Sequence, residues 1–179
     1  MKLSGAVLAG GRSSRFGTDK AQFIWHQKTL LEWALGSFIG LEDVMVIGGS
    51  SATIPDPEPF LGALHGVKSA LENAVYPRVA IMACDMPNLS PAYWRFLESD
   101  KADIVIPQNK NGQLEPLAAI YSRACLGLVQ NAITRGDLKL SGWWQAQTEF
   151  SVRVVTWQEL EPFFPSDIFL NANYLEDLS

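Results

Sequence analysis

Two cysteines, two histidines and no long apolar run set the first limits on this 179-residue chain. Cys84 and Cys125 are too few for a disulfide framework and too far apart for a Cys-x-x-Cys metal site, and His26 and His65 stand alone. Zinc is therefore not expected, and both thiols read as core residues. No stretch approaches the roughly 18 apolar residues of a membrane span. The short apolar run behind Lys2 gives way to a glycine-rich loop, so neither a signal peptide nor a membrane partner is expected, and the reading is a cytoplasmic protein. A basic surplus is missing as well: the net charge is −5, which argues against nucleic acid as a partner. Repeats, low-complexity tracts and linkers are absent, so the chain reads as one domain over residues 1–179, its composition 47% hydrophobic and able to build a core.

What is present is an alternation. Apolar runs suited to strands occur at 3–8, 44–47, 79–83, 104–107, 117–121 and 152–156, and several are continuous, as strands covered on both faces are. Helical patterns fall between them at 29–39, 63–74, 91–99 and 123–134. Ser90-Pro91 is a start signal, an N-cap followed by proline at the first helical position. The alternation predicts an α/β fold with a mostly parallel sheet between helical layers.

The charge is uneven. Between Arg12 and Lys28 four cations meet one carboxylate, a local +3 that leaves −8 for the rest. This basic patch lies in LAGGRSSRFGTDKA, residues 8–21, which begins where the first strand ends. Open α/β sheets bind ligands at the carboxyl ends of their strands. Glycines there let backbone N–H groups approach an anion, and Arg12, Arg15 and Lys20 can reach the same charge. Neither common phosphate loop fits, since Gly17 is followed by Thr18 and Arg12 stands where a second glycine would be needed. The plainer reading is a glycine-rich turn with solvated charges. The second candidate is ACDMPNL, residues 83–89, where Asp85 would leave the end of a central strand. A carboxylate facing a polyphosphate suits Mg²⁺, which takes one or two carboxylates with phosphate oxygens and water. Alone, Asp85 could equally be a turn residue bonded to its own backbone.

Together these stretches resemble the molybdenum cofactor guanylyltransferase family and its small nucleotidyltransferase relatives. The signature L-A-G-G-x-S-x-R-M-G-x-D-K matches from Leu8 to Lys20, with Phe16 in place of methionine. GALHGVKSAL (62–71), CDMP (84–87), EPLAAIY (115–121) and FLNANYLEDL (169–178) follow in the family's order. Departures are Ala63 for proline, Gln27-Lys28 for Gly-Lys ahead of the first helix, and Tyr174-Leu175 for Thr-Pro in the tail.

The resemblance implies a Rossmann-like three-layer sandwich of the nucleotide-diphospho-sugar transferase type. It also implies transfer of GMP from GTP to the terminal phosphate of molybdopterin, with or without its metal. Leu8, Ala9, Gly10, Gly11, Arg12, Ser13, Ser14 and Gly62 would then line the nucleotide. Arg15 and Lys20 would offset charge at the α-phosphate and leaving group, and Asp85 would hold Mg²⁺. Asp56, in IPDPEP, is the candidate for guanine, because a carboxylate can accept from N1–H and the 2-amino group together; a turn aspartate before Pro57 is the alternative. Lys139, Asn171 and Asn173 would face the pterin. Trp143 and Trp144 read as core or partner surface rather than stacking groups. The rival activities are cytidylyl transfer to the same cofactor and sugar-1-phosphate nucleotidyl transfer. Gly10-Gly11 and Asp19-Lys20 lean toward guanylyl transfer. A non-catalytic nucleotide- or cofactor-binding adaptor is the rival of another class.

Overall fold

The computed structural model describes residues 2–10, 19–55, 61–144 and 148–172. Its main sheet has six strands: β1 Ser4–Leu8, β4 Asp43–Ile47, β5 Arg78–Ala83, β6 Ile104–Pro107, β7 Ala118–Ser122 and β8 Val152–Val155. Their spatial order is β4-β1-β5-β7-β6-β8. Five strands point the same way, while β7 runs antiparallel to both of its neighbours. The mostly parallel sheet expected from the alternation is thus present.

Both faces of the sheet are buried, which is why its strands read as unbroken apolar runs. Val7, Val46, Met82, Val105 and Ile120 face one layer, with α1 (Leu30–Ser37), α3 (Pro91–Glu98) and α5 (Trp157–Leu160). Leu8, Ile47, Ile81, Ile106 and Tyr121 face the other, with α2 (Ala63–Asn73) and α4 (Leu126–Thr134). The split follows the period-2 alternation of side chains along each strand. Cys84 and Cys125 are buried free thiols, as expected. Trp143 and Trp144 are buried at 3% and 4% exposure, with Trp143 stacked on Tyr121, which makes them core.

The helix starts follow local chemistry. The hydroxyl of Thr29 accepts from the Glu32 amide while the Glu32 carboxylate accepts from the Thr29 amide, a capping box for α1. Ser90 caps α3 with Pro91 at its first position. Between Lys20 and α1 the chain forms a 3₁₀ turn, Lys20–Gln22, and a small hairpin of β2 (Ile24–Trp25) and β3 (Lys28–Thr29), neither visible in the apolar periodicity. The helix expected at 123–134 opens instead with a 3₁₀ turn, Arg123–Cys125. No helix among the described residues is long and apolar enough to cross a membrane.

Candidate active site

The carboxyl ends of β4, β1 and β5 are laced together. The Ala9 amide donates to Ile47 O at 2.9 Å, and the Cys84 amide donates to Leu8 O at 3.1 Å. Gly49, at φ +77°, lies so close to this seam that a Cβ would sit 3.0 Å from Ala9 O, a place and a conformation that favour glycine. Leu8 is clamped from the other side by α2, since a Cβ on Gly66 would be 2.9 Å from Leu8 Cδ1. Gly62, at φ +100°, turns the chain into that helix. The Gly10 amide donates to Ile47 O at 3.3 Å, so the start of the glycine-rich loop is tied back to the end of β4. Gly11, Arg12, Ser13, Ser14 and Arg15 lie outside the described residues, as do Asp56 and Asn173.

Lys20 and Asp85, 65 residues apart in sequence, meet at this end of the sheet. β1 and β5 are direct neighbours, with Leu8 opposite Ala83, so Asp85 emerges beside the loop that follows β1. Lys20 Nζ lies 2.6 Å from Asp85 Oδ2, and each side chain is 17% exposed. The other oxygen, Asp85 Oδ1, is buried and accepts no hydrogen bond among the described residues. A buried, unpartnered carboxylate oxygen is costly, commonly about 1–3 kcal/mol, and is satisfied when a ligand or cation supplies the missing partner. The donor fits Mg²⁺, a hard cation that accepts carboxylate oxygen. The described residues contain no cluster of three or more His, Cys, Asp or Glu that could cage a metal. A cation at Asp85 would therefore complete its shell from phosphate oxygens and water.

Asp19 has a part that spacing alone did not reveal. Its Oδ1 accepts from the Ala21 amide at 3.1 Å, and its Oδ2 accepts from the Ser50 amide at 3.1 Å and the Ser50 hydroxyl at 2.5 Å. Burial works to raise this carboxyl, but the bonds from Ser50 and Ala21 outweigh it and hold Asp19 below the ordinary aspartate range. Asp19 thus caps the turn that begins with Lys20 and pins it to the loop after β4. The signal was available in the Asp-Lys order, since aspartate is a preferred cap.

The tail also reaches Asp85. The Ala172 amide donates to Asp85 O at 2.9 Å, and Asn88 Nδ2 donates to Asp167 O at 2.9 Å. Asn171 is thereby held next to the metal-ligand candidate, its Nδ2 donating to Phe169 O at 3.3 Å. Lys139 is exposed on the segment after α4, with no bond that ties it to Asp85 or Lys20.

Comparison with known proteins shows the family. Residues 5–150 match the model of the MobA-like NTP transferase domain. The chain is 32% identical to a probable molybdenum cofactor guanylyltransferase of Chloroflexus aggregans, over 99% of this chain and 92% of that one. It is 30% identical to the molybdenum cofactor guanylyltransferase of Desulfosudis oleivorans, over 98% and 92%. Among solved structures, the molybdopterin-guanine dinucleotide biosynthesis protein A of Archaeoglobus fulgidus superposes with a TM-score of 0.80 at 24% identity, covering 98% of this chain and 94% of that one. The 2-C-methyl-D-erythritol 4-phosphate cytidylyltransferase of Thermus thermophilus superposes at 0.70 with 19% identity, over 99% and 96%, a likeness of fold. With its domain model spanning most of the sequence and such relatives covering nearly all of it, the chain belongs to the MobA-like NTP transferase family.

Proposed function

We infer that this chain is a molybdenum cofactor guanylyltransferase that moves GMP from GTP onto the terminal phosphate of molybdopterin. The observation that carries the reading is the meeting of Lys20 and Asp85 at the joined ends of β1 and β5, a cation and a carboxylate where a triphosphate would lie. The names of the relatives supply the base and the acceptor.

An oxygen of the acceptor phosphate attacks the α-phosphorus of GTP. The bond from that phosphorus to the α–β bridging oxygen breaks, and its electron pair leaves with pyrophosphate. The attacking oxygen is already anionic, so no general base is required, in keeping with the absence of histidine from residues 8–21 and 83–89. Such a reaction asks a protein for alignment and for positive charge where negative charge accumulates. Lys20 supplies that charge, together with Arg15 from the glycine loop. The backbone of Leu8 to Gly10 and the turn at Gly62 form the nucleotide wall, and Asp56 would read the guanine edge. Asp85 would hold Mg²⁺ through Oδ1, the oxygen that Lys20 leaves open, and the ion when bound would offset charge on the phosphate oxygens and favour departure of pyrophosphate. Asn171, Asn173 and Lys139 would face the acceptor.

The test is pyrophosphate release by the purified chain given molybdopterin, Mg²⁺ and each nucleoside triphosphate in turn. Release with GTP alone among the four is expected, and Asp56→Asn should narrow the preference for GTP over ATP. Release with CTP in place of GTP would move the chain to cytidylyl transfer. No release with any of them would leave a cofactor-binding adaptor.

A further inference from the structure

Glu115 stands in the turn between β6 and β7, at the same end of the sheet as Asp85. In the reading above the ends of β4 and β1 hold the nucleotide and Asp85 follows β5, which leaves the side of the sheet at β7 and β6 for the acceptor. β7 begins at this end of the sheet because it runs antiparallel to β5, and the turn leading into it is tied to β5 through the Ala83 amide, which donates to Leu117 O at 3.2 Å. That turn is closed by the Ala118 amide donating to Glu115 O at 3.0 Å.

The turn is also joined to the tail. Tyr93 donates its hydroxyl to Ala118 O, and its ring packs edge-on against Phe169 at 5.8 Å. Phe169 is followed by Asn171 and by Ala172, whose amide reaches Asp85 O. Glu115, Asn171 and Asp85 are thus set along one continuous chain of contacts.

The Glu115 side chain is held ready and lacks a cation. Asn109 Nδ2 donates to Glu115 Oε1 at 2.7 Å. Asn109 is itself fixed, since its Oδ1 accepts from the amides of Asn111 at 2.9 Å and Gln113 at 3.1 Å. Among the described residues Glu115 Oε2 accepts no hydrogen bond, and no Lys or Arg pairs with the carboxylate. Burial pushes this carboxyl above the ordinary glutamate range, with the Asn109 bond opposing it. A half-buried carboxylate with one partner costs free energy that a pair of N–H donors would offset. The acceptor's pterin carries such a pair, a ring N–H beside an exocyclic amino group, at the spacing of two carboxylate oxygens.

We propose that Glu115, fixed by Asn109, binds the amino-pyrimidinone edge of the acceptor's pterin and selects the acceptor. The inference rests on the transferase reading above for the identity of the acceptor. Glu115→Gln provides the test, because glutamine keeps an oxygen for Asn109 while losing the charge and replacing the second acceptor with a donor. With GTP saturating, Glu115→Gln should raise KM for molybdopterin about tenfold or more, leave KM for GTP within twofold, and leave the melting temperature unchanged. Free pterin, titrated against intrinsic fluorescence, should bind the wild-type chain and lose affinity to a similar extent in Glu115→Gln. Glu115→Ala should match it. Wild-type values for acceptor KM and pterin affinity in Glu115→Gln would overturn the proposal, as would a change in KM for GTP instead. If the wild-type chain releases no pyrophosphate from GTP and molybdopterin, the transferase reading fails, and the pterin titration still decides the role of Glu115.

Discussion

Asp85→Asn removes a charge while keeping a side chain of nearly the same shape, so it separates metal holding from folding. Its Oδ1 gives up no protein hydrogen bond, and its Oδ2 gives up only half of a pair with Lys20. The thermal transition should therefore move little, while pyrophosphate release falls by about 10²-fold or more, as for loss of a charge-stabilising group. Near-normal turnover in this variant would remove Asp85 from the metal role. Lys20 asks a different question. If it meets charge that grows as the α-phosphate is attacked, Lys20→Ala should lower kcat by about 10²-fold, some 3 kcal/mol of differential stabilisation. If it anchors only the resting triphosphate, KM for GTP rises and kcat holds. Steady-state kinetics read the two apart. Arg15 is expected to lean over the same anion, so the double variant should lose less than the product of the single losses. At this scale the nearness of Asp85 to the loop after β1 was legible, because Asp85 lies two residues behind β5 and the loop that carries Lys20 begins where β1 ends, whereas the ion pair itself, which depends on how that loop returns, was not. The brace from Asp19 to Ser50 was not, because it depends on how the loop after β4 folds back, and Gly48 and Gly49 at φ +70° and +77° carry no periodicity that would reveal it.

Elements built from long apolar runs were readable, and those built from a few residues were not. The hairpin of β2 and β3 has two residues in each strand and turns through His26 and Gln27, at φ +45° and +69°, where the usual signal would be Asn-Gly. Trp25 nevertheless packs on Trp33, whose Nε1 donates to Trp25 O at 2.8 Å, and Lys28 lies over the Trp33 ring at 4.8 Å. Tertiary contact, rather than turn propensity, holds this hairpin closed. α5 was missed for the same reason of length, although its capping box, Thr156 with Glu159, was present to be read. The hairpin carries a prediction. A left-handed conformation costs a residue with a Cβ about 1–2 kcal/mol, part of which glycine returns through the greater freedom of its unfolded chain. Gln27 is exposed and makes no side-chain hydrogen bond among the described residues. Gln27→Gly should therefore stabilise the protein by about 0.5–1 kcal/mol and raise the melting temperature by about 1–4 °C. A lower melting temperature would mean that the turn is not the strained point.

At the scale of the whole molecule, the sequence conveyed a sheet covered on both faces but not the reversal of β7. Reversal follows from the connection between β6 and β7, which is a short loop with no helix and so cannot return the chain to a parallel start. The same double cover leaves titratable groups deep in the core, and this sets how stability responds to alkali. Burial, with a smaller contribution from the charge of Asp85, pushes the Cys84 thiol up to about 12. Burial, helped by Asp103, does the same for Cys125, also to about 12. Tyr93 and Tyr121 are raised above the ordinary phenol value, in both cases first by burial. In the unfolded chain a thiol gives up its proton near pH 9.0 and a phenol near 10.0. Below pH 9 both states hold these protons and stability is unaffected. Above it the unfolded chain binds fewer protons than the native one, so stability falls as pH rises, by up to about 1.4 kcal/mol per pH unit for each such group. The two thiols act first and the two phenols join above pH 10, until the native pKa values are passed. Urea midpoints should thus decline from pH 9 and decline more steeply from 10 to 11. The double variant Cys84→Ala with Cys125→Ala starts from a lower stability, but its slope between pH 9 and 10 should be markedly shallower, because of these four groups the thiols contribute most of the slope in that window. A wild-type midpoint that stays level from pH 9 to 11, or a double variant with the wild-type slope, would show that the buried thiols and phenols do not govern the alkaline limit.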